Sequence, residues 1–247
     1  EPDPGFWRIL DVKTRNSRLS AAEEVVMRGK AAGLSGVPAG KFGKLLTIDR
    51  AEIESYNAIR RLIGEFLSEP KPERPLSFAV FGPPGSGKSF GVKQVMASLA
   101  RKDLESVTFN ISQFRSYGDL VSSLHRVRDI VLSGKIPFVF FDEFDASLEG
   151  RVLGWLKYFL APMQDGEFKD GESVYHIGRA VFVFAGGTRS TFDDFVTNRS
   201  PRHADAVDDS TAALTPEYDR AVYGEAAFRQ AKGPDFASRL RGFIDIM

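Results

Sequence analysis

Gly82-Pro83-Pro84-Gly85-Ser86-Gly87-Lys88-Ser89 decides the fold, because it satisfies every fixed position of G-x-x-x-x-G-K-[ST] in the setting that pattern requires. Before it runs Leu76-Ser77-Phe78-Ala79-Val80-Phe81, a short apolar stretch that predicts a buried strand. After it, Val92, Val95, Met96 and Leu99 recur at helical spacing, predicting a helix over residues 90–100. Glycines at 82, 85 and 87 allow the backbone to approach a phosphate and turn successive N–H groups toward it. The helix that follows aims its positive end at the same anion. Lys88 would reach the β and γ phosphates as a point charge, and the Ser89 hydroxyl would complete the coordination of Mg²⁺. Pro83 and Pro84 restrict the loop, and Phe90 directly after it is counted with the nucleotide-binding residues.

Working outward, the chain alternates strand and helix. Ser106-Val107-Thr108-Phe109-Asn110-Ile111 predicts a second strand, and Leu120, Leu124, Val127, Ile130 and Val131 predict a helix over residues 118–132. Ile136-Pro137-Phe138-Val139-Phe140-Phe141 and Ala180-Val181-Phe182-Val183-Phe184-Ala185 are apolar without alternation, as central parallel strands covered on both faces are. The expected class is therefore a layered α/β sheet. Upstream, Ile53, Tyr56, Ile59, Ile63, Phe66 and Leu67 form an amphipathic helix with Asp49 as its cap, ended by Pro70, Pro72 and Pro75. Residues 1–46 read as an N-terminal extension, helical over 21–32 and a glycine-rich loop over 33–43, with no visible chemistry. Residues 47–247 read as the nucleotide-binding core, with the polar stretch 190–233 as a mobile insertion.

Bulk properties narrow the classes. The 247 residues carry 33 basic and 33 acidic side chains, so no global field advertises nucleic acid. The absence of cysteine excludes disulfides and thiolate metal sites, and three scattered histidines (His125, His176, His203) argue against a zinc cluster. His125 and His176 have no neighbours that suggest acid–base work. A cytoplasmic location fits this composition, and neither a membrane span nor a signal peptide is visible. The start at Glu1 and the stop at Met247 after Phe243-Ile244-Asp245-Ile246 read as a piece of a longer protein.

The reaction is read from a second motif. Asp142-Glu143 ends the apolar run at Phe141, the hhhhDE form of a Walker B sequence. Neighbours on a strand face opposite ways, so both carboxylates can serve one site only where the strand ends and the chain turns. Asp142 would hold Mg²⁺, and Glu143 would orient and polarise the water that attacks the γ-phosphorus. A glutamate placed to activate water counts against small-molecule kinase chemistry. The plain alternative is a solvated strand end.

Taken together, Gly-Pro-Pro-Gly-Ser-Gly-Lys-Ser at 82–89 and Phe-Phe-Asp-Glu-Phe-Asp-Ala at 140–146 resemble the AAA+ ATPases over residues 47–247. The resemblance implies a P-loop NTPase core with a five-stranded parallel sheet flanked by helices, its helical lid absent or truncated in this sequence. It implies a further strand between the two motif strands, ending in a polar sensor residue. Thr188 takes that place, where the family often has asparagine; an ordinary turn at Gly186-Gly187 is the other reading. Ser238-Arg239 resembles the arginine-finger region before the fifth strand, which makes Arg239 the finger and Arg241 the second choice, against ordinary solvated arginines.

A finger implies a homo-oligomeric ring, a hexamer being one size, that hydrolyses ATP to ADP and phosphate with Mg²⁺. Phe114 and Tyr117 stand where ring-forming relatives carry substrate-gripping loops and could grip a polypeptide; packing under a loop, with Ser116 or Asp119 capping the helix, is the commoner use of such aromatics and the favoured reading. Residues 166–178 read as a hairpin-like excursion. Remodelling of a protein is the expected task, with a DNA-acting motor or loader and a slow ATP-controlled switch as alternatives.

Overall fold

The computed structural model describes residues 23, 25–34, 37–72, 74–197 and 224–246. A short hairpin, β1 (Gly40–Phe42) and β2 (Leu45–Thr47), precedes the long helix α1 (Arg50–Ser68). Then follow β3 (Leu76–Phe81), α2 (Lys88–Ser98), β4 (Leu104–Asn110), α3 (Tyr117–Leu132), β5 (Ile136–Asp142) and α4 (Leu156–Gln164). A second hairpin, β6 (Glu167–Asp170) and β7 (Ser173–His176), leads to β8 (Val181–Ala185) and α5 (Phe192–Thr197). After residues 198–223, α6 (Glu225–Gln230), α7 (Gly233–Ser238) and β9 (Phe243–Asp245) complete the described chain.

Five strands form one sheet in the order β4-β5-β8-β3-β9. Every pairing in it is parallel. The strand beginning near Val181 thus lies between the two motif strands, as expected. Register matters for the site: Val80 of β3 and Asp142 of β5 both stand opposite Ala185 of β8. The three chain exits at Gly82, Glu143 and Gly186 therefore leave the sheet at one level, on its carboxyl edge, where ligands of open α/β sheets bind.

Both faces of the sheet are covered. Phe78, Val80, Phe138, Phe140, Val181, Val183 and Ile244 meet Tyr56, Ile59 and Ile63 of α1 and Val92 and Val95 of α2. Ala79, Phe81, Val139, Phe141, Phe182 and Phe184 meet Leu120, Leu124 and Val127 of α3, Phe159 and Met163 of α4, and Phe195 and Phe236. This explains the absence of hydrophobic alternation in the sequence: side chains alternate between faces, and neither face meets water. Each buried phenylalanine contributes about 1.5–3 kcal/mol by leaving water, and close-packed rings such as Phe141 on Phe184, 5.4 Å apart, make the layer unyielding.

Helix ends follow capping chemistry. Asp49 accepts from the Glu52 N–H at 2.9 Å, a contact of the kind that contributes about 1 kcal/mol. Asp119 accepts from the backbone N–H of Arg115 and Ser116 at 2.7 and 3.0 Å, ordering the entry to α3. These bonds hold its carboxyl below the ordinary range.

Two stretches differ from the sequence expectation. The glycine-rich loop expected over residues 33–43 becomes strand at Gly40, and Phe42 buries its ring on Tyr56 with centroids 5.3 Å apart. The backbone N–H of Lys44 donates to Gln94 Oε1 of α2 at 2.8 Å. Three-residue strands are too short to show alternation, so only their packing reveals them. The helix expected from residue 90 starts at Lys88, because its first turn serves the loop and carries no core residues.

The expected excursion over 166–178 is the β6–β7 hairpin. His125 of α3 holds it, with Nε2 3.0 Å from the Asp170 carboxylate and the ring against Phe168 and Tyr175. In the stretch expected to be a polar insertion, α5, α6 and the start of α7 are regular, while residues 198–223 lie outside the described residues. His203 lies there too.

Candidate functional site

The loop between β3 and α2 is left-handed at each of its glycines, with φ of 150° at Gly82, 81° at Gly85 and 83° at Gly87. A side chain at 82 would strike the Ile246 carbonyl oxygen at 2.6 Å, which ties the loop to the exit of β9. Ile246 N–H also donates to the Phe81 carbonyl at 2.9 Å. Gly91 allows close approach of α2 to α1: a Cβ there would lie 2.3 Å from the Tyr56 hydroxyl. Burial raises that phenol to about 12. Lys88 folds back over the loop, its Nζ donating to the carbonyls of Gly82 at 2.7 Å and Pro83 at 3.1 Å. A phosphate oxygen would offer the same ammonium a charge-assisted partner, which is the stronger bond.

Facing the loop is the end of β5. Asp142 is its last residue, and Glu143 takes φ +54°, a left-handed conformation costly for a non-glycine residue. That turn cancels the strand's alternation, so Asp142 and Glu143 line one cleft. The cleft encloses about 580 Å³ and also presents Pro84, Gly85, Gly87, Lys88, Ser89, Phe90, Asp145, Ala146, Gly186, Gly187 and Thr188. Its size suits a small-molecule ligand. Burial and the neighbouring Glu143 carboxylate push the Asp142 carboxyl upward, opposed by the Glu143 backbone N–H and then by Lys88 and Lys93.

Ser89 and Asp142 both line this cleft and offer two hard oxygen donors, the donor type from which Mg²⁺ is held together with phosphate and water oxygens. Among the described residues no group of three or more His, Cys, Asp or Glu forms a cage of its own.

Of the residues expected at the site, Pro84, Gly85, Gly87, Lys88, Ser89, Phe90, Asp142, Glu143 and Thr188 come together around the cleft. Gly82, Pro83 and Ser86 shape the loop behind it without lining it. Arg239 stands elsewhere: it follows α7, and its guanidinium donates to Gln164 Oε1 through Nε at 2.8 Å and to the Asp235 carbonyl at 2.5 Å. Arg241 is exposed in a separate depression with Glu65 and Glu69, and its N–H donates to the Ser77 carbonyl at 2.8 Å. Phe114 and Tyr117 pack rather than project. Phe114 meets Trp155 edge-on at 5.7 Å, and Tyr117 lies 4.8 Å from Tyr158 with its hydroxyl donating to the Lys169 carbonyl.

Asp145 is the residue the sequence reading passed over. It is 3% exposed and accepts from Gly187 and Thr188, binding the end of β5 to the end of β8. Its signal in the sequence is the second acid of Asp142-Glu143-Phe144-Asp145.

A family model described as "ATPase family associated with various cellular activities (AAA)" matches residues 78–205, from the core of β3 past the end of α5. The chain belongs to the AAA ATPases. This AAA domain is a P-loop core built on the five-stranded parallel sheet described above, and its enzymatic activity is that of an ATPase. Among solved structures, the S. cerevisiae Hsp104–ADP complex matches at 16% sequence identity with a TM-score of 0.39. That match covers 94% of this chain and 43% of the other, so the chain spans less than half the length of that relative. No curated protein sequence matches the chain. Among the described residues no helix is long and apolar enough to cross a membrane.

Proposed function

We propose that this AAA ATPase acts as an oligomer, in which Mg²⁺-dependent hydrolysis of ATP drives the remodelling of a protein substrate. The observation that carries hydrolysis is the left-handed turn at Glu143, which brings a carboxylate into the cleft opposite Lys88 without displacing Asp142. In this reading the loop N–H groups and Lys88 hold the phosphates, Ser89 and Asp142 hold Mg²⁺, and Phe90 borders the nucleotide. The cation would neutralise charge on the phosphate oxygens. Glu143 takes a proton from water as its oxygen bonds to the γ-phosphorus; the bond to the bridging oxygen breaks, and ADP and phosphate leave.

Oligomerisation is supported by the position of Arg239, outside its own chain's cleft and on the surface that follows α7. A protein substrate is favoured over DNA by the balance of 33 basic and 33 acidic residues. With Phe114 and Tyr117 packed, substrate contact falls to the exposed residues beside them, Gln113 and Arg115.

Phosphate release measured with unfolded protein or with DNA tests the task. Stimulation by unfolded protein alone is expected, and stimulation by DNA alone would move the assignment to a DNA motor. Lys88→Ala is expected to weaken ATP binding about 10–100-fold, the loss of a charge-assisted contact. Equilibrium titration with a fluorescent ATP analogue checks this; unchanged affinity would remove Lys88 from the phosphate site.

A further inference from the structure

Asp145 has a geometry that none of the roles above uses. The turn through Glu143, closed by the Ala146 N–H on the Glu143 carbonyl at 3.0 Å, sends it back beneath the mouth of the cleft. There its carboxylate accepts from the N–H of Gly187 at 3.1 Å, from the N–H of Thr188 at 2.8 Å and from the Thr188 hydroxyl at 2.5 Å. A hydroxyl has one proton and two acceptor positions. The Thr188 proton is committed to Asp145, so Thr188 offers the cleft lone pairs. Lone pairs repel a phosphate oxygen and accept from a water.

We propose that Asp145 is a positioning residue that turns Thr188 into a hydrogen-bond acceptor for the attacking water. This rests on the hydrolytic reading of Glu143 given above. The water donates one hydrogen bond to Thr188 Oγ1 and the other to Glu143, which aims an oxygen lone pair at the γ-phosphorus. Glu143 then receives its proton, while the proton facing Thr188 stays on the new phosphate oxygen. The two backbone bonds from Gly187 and Thr188 set where that acceptor stands, by pinning the end of β8 to the turn after β5.

Steady-state ATPase kinetics and titration with a fluorescent ATP analogue on Glu143→Gln, Asp145→Asn, Thr188→Val, Thr188→Ser and the Asp145→Asn/Thr188→Val pair test this. Asp145→Asn and Thr188→Val are each expected to lower kcat by about 10–100-fold, as misplacement of a reacting group does, with KM and analogue affinity within about threefold. Thr188→Ser, which keeps the hydroxyl, should recover kcat to within about threefold of the parent. The double variant should be no slower than the slower single one, because both remove the same bond.

Additive losses would overturn the proposal, as would an Asp145→Asn kcat within about twofold of the parent. Loss of analogue affinity in Thr188→Val would also overturn it, since that outcome places the hydroxyl on phosphate. Should Asp145→Asn fail to fold by circular dichroism, the Thr188→Val and Thr188→Ser pair decides alone. Full turnover in Glu143→Gln would sink the hydrolytic reading itself and is distinguishable from every outcome above.

Discussion

Glu143→Gln is expected to lower kcat by about 10²–10⁴-fold, the contribution typical of a positioned general base, while nucleotide binding stays near the parent value. The substitution keeps volume and hydrogen-bonding capacity but removes the basic oxygen that would take the water's proton. Binding is expected to survive because the glycine loop and Lys88, which would meet the phosphates, are left unchanged by the substitution. Phosphate release and equilibrium titration, measured on one preparation, separate the two quantities. A variant that turns over ATP at the parent rate would leave Glu143 as a solvated strand end. The left-handed backbone at Glu143, φ +54°, would then be a turn conformation of the kind also taken by Ala100, Glu149, Leu153 and Lys232.

Arg239→Ala is expected to lower kcat by about 10²–10³-fold, again with nucleotide binding retained, if an arginine supplied by a neighbouring copy stabilises the charge developing on the γ-phosphoryl group. The geometry sharpens this expectation. Arg239 is not free: it sits against Gln164 Oε1 and the Asp235 carbonyl, a quarter or less exposed at 23%. It reaches no atom of its own chain's cleft, so any action on nucleotide has to be in trans. Mixing Arg239→Ala subunits with Glu143→Gln subunits therefore should restore part of the lost turnover, because some interfaces pair an intact glutamate with an intact arginine. No recovery in the mixture, with each variant folded, would count against a shared site; recovery on Arg241→Ala but not on Arg239→Ala mixing would transfer the role.

Much of the core was legible from local signals. The apolar stretch at 76–81 announced a buried strand, and the runs at 136–141 and 180–185 announced strands covered on both faces; two layers of aromatic and aliphatic side chains cover them. The loop at 82–89 carries its own requirement for glycine, visible as three positive φ angles. Less legible were the β1–β2 hairpin and the packing of Phe114 and Tyr117, since both depend on distant partners: Tyr56 and Gln94 for the first, Trp155 and Tyr158 for the second. An aromatic in a loop looks the same in sequence whether it meets solvent or another ring.

By itself the sequence determined the phosphate loop, the acidic pair after the apolar run 136–141 and the layered α/β class, because each depends on neighbours within a few residues. Only the tertiary structure decided that Asp142 and Glu143 face one cleft, that Asp145 captures Thr188 from 43 residues away, and that Arg239 stands outside its own site. Those facts depend on strand order and register, which bring the ends of β3, β5 and β8 to one level, and no local pattern of residues encodes a distance between strands that are far apart in the chain.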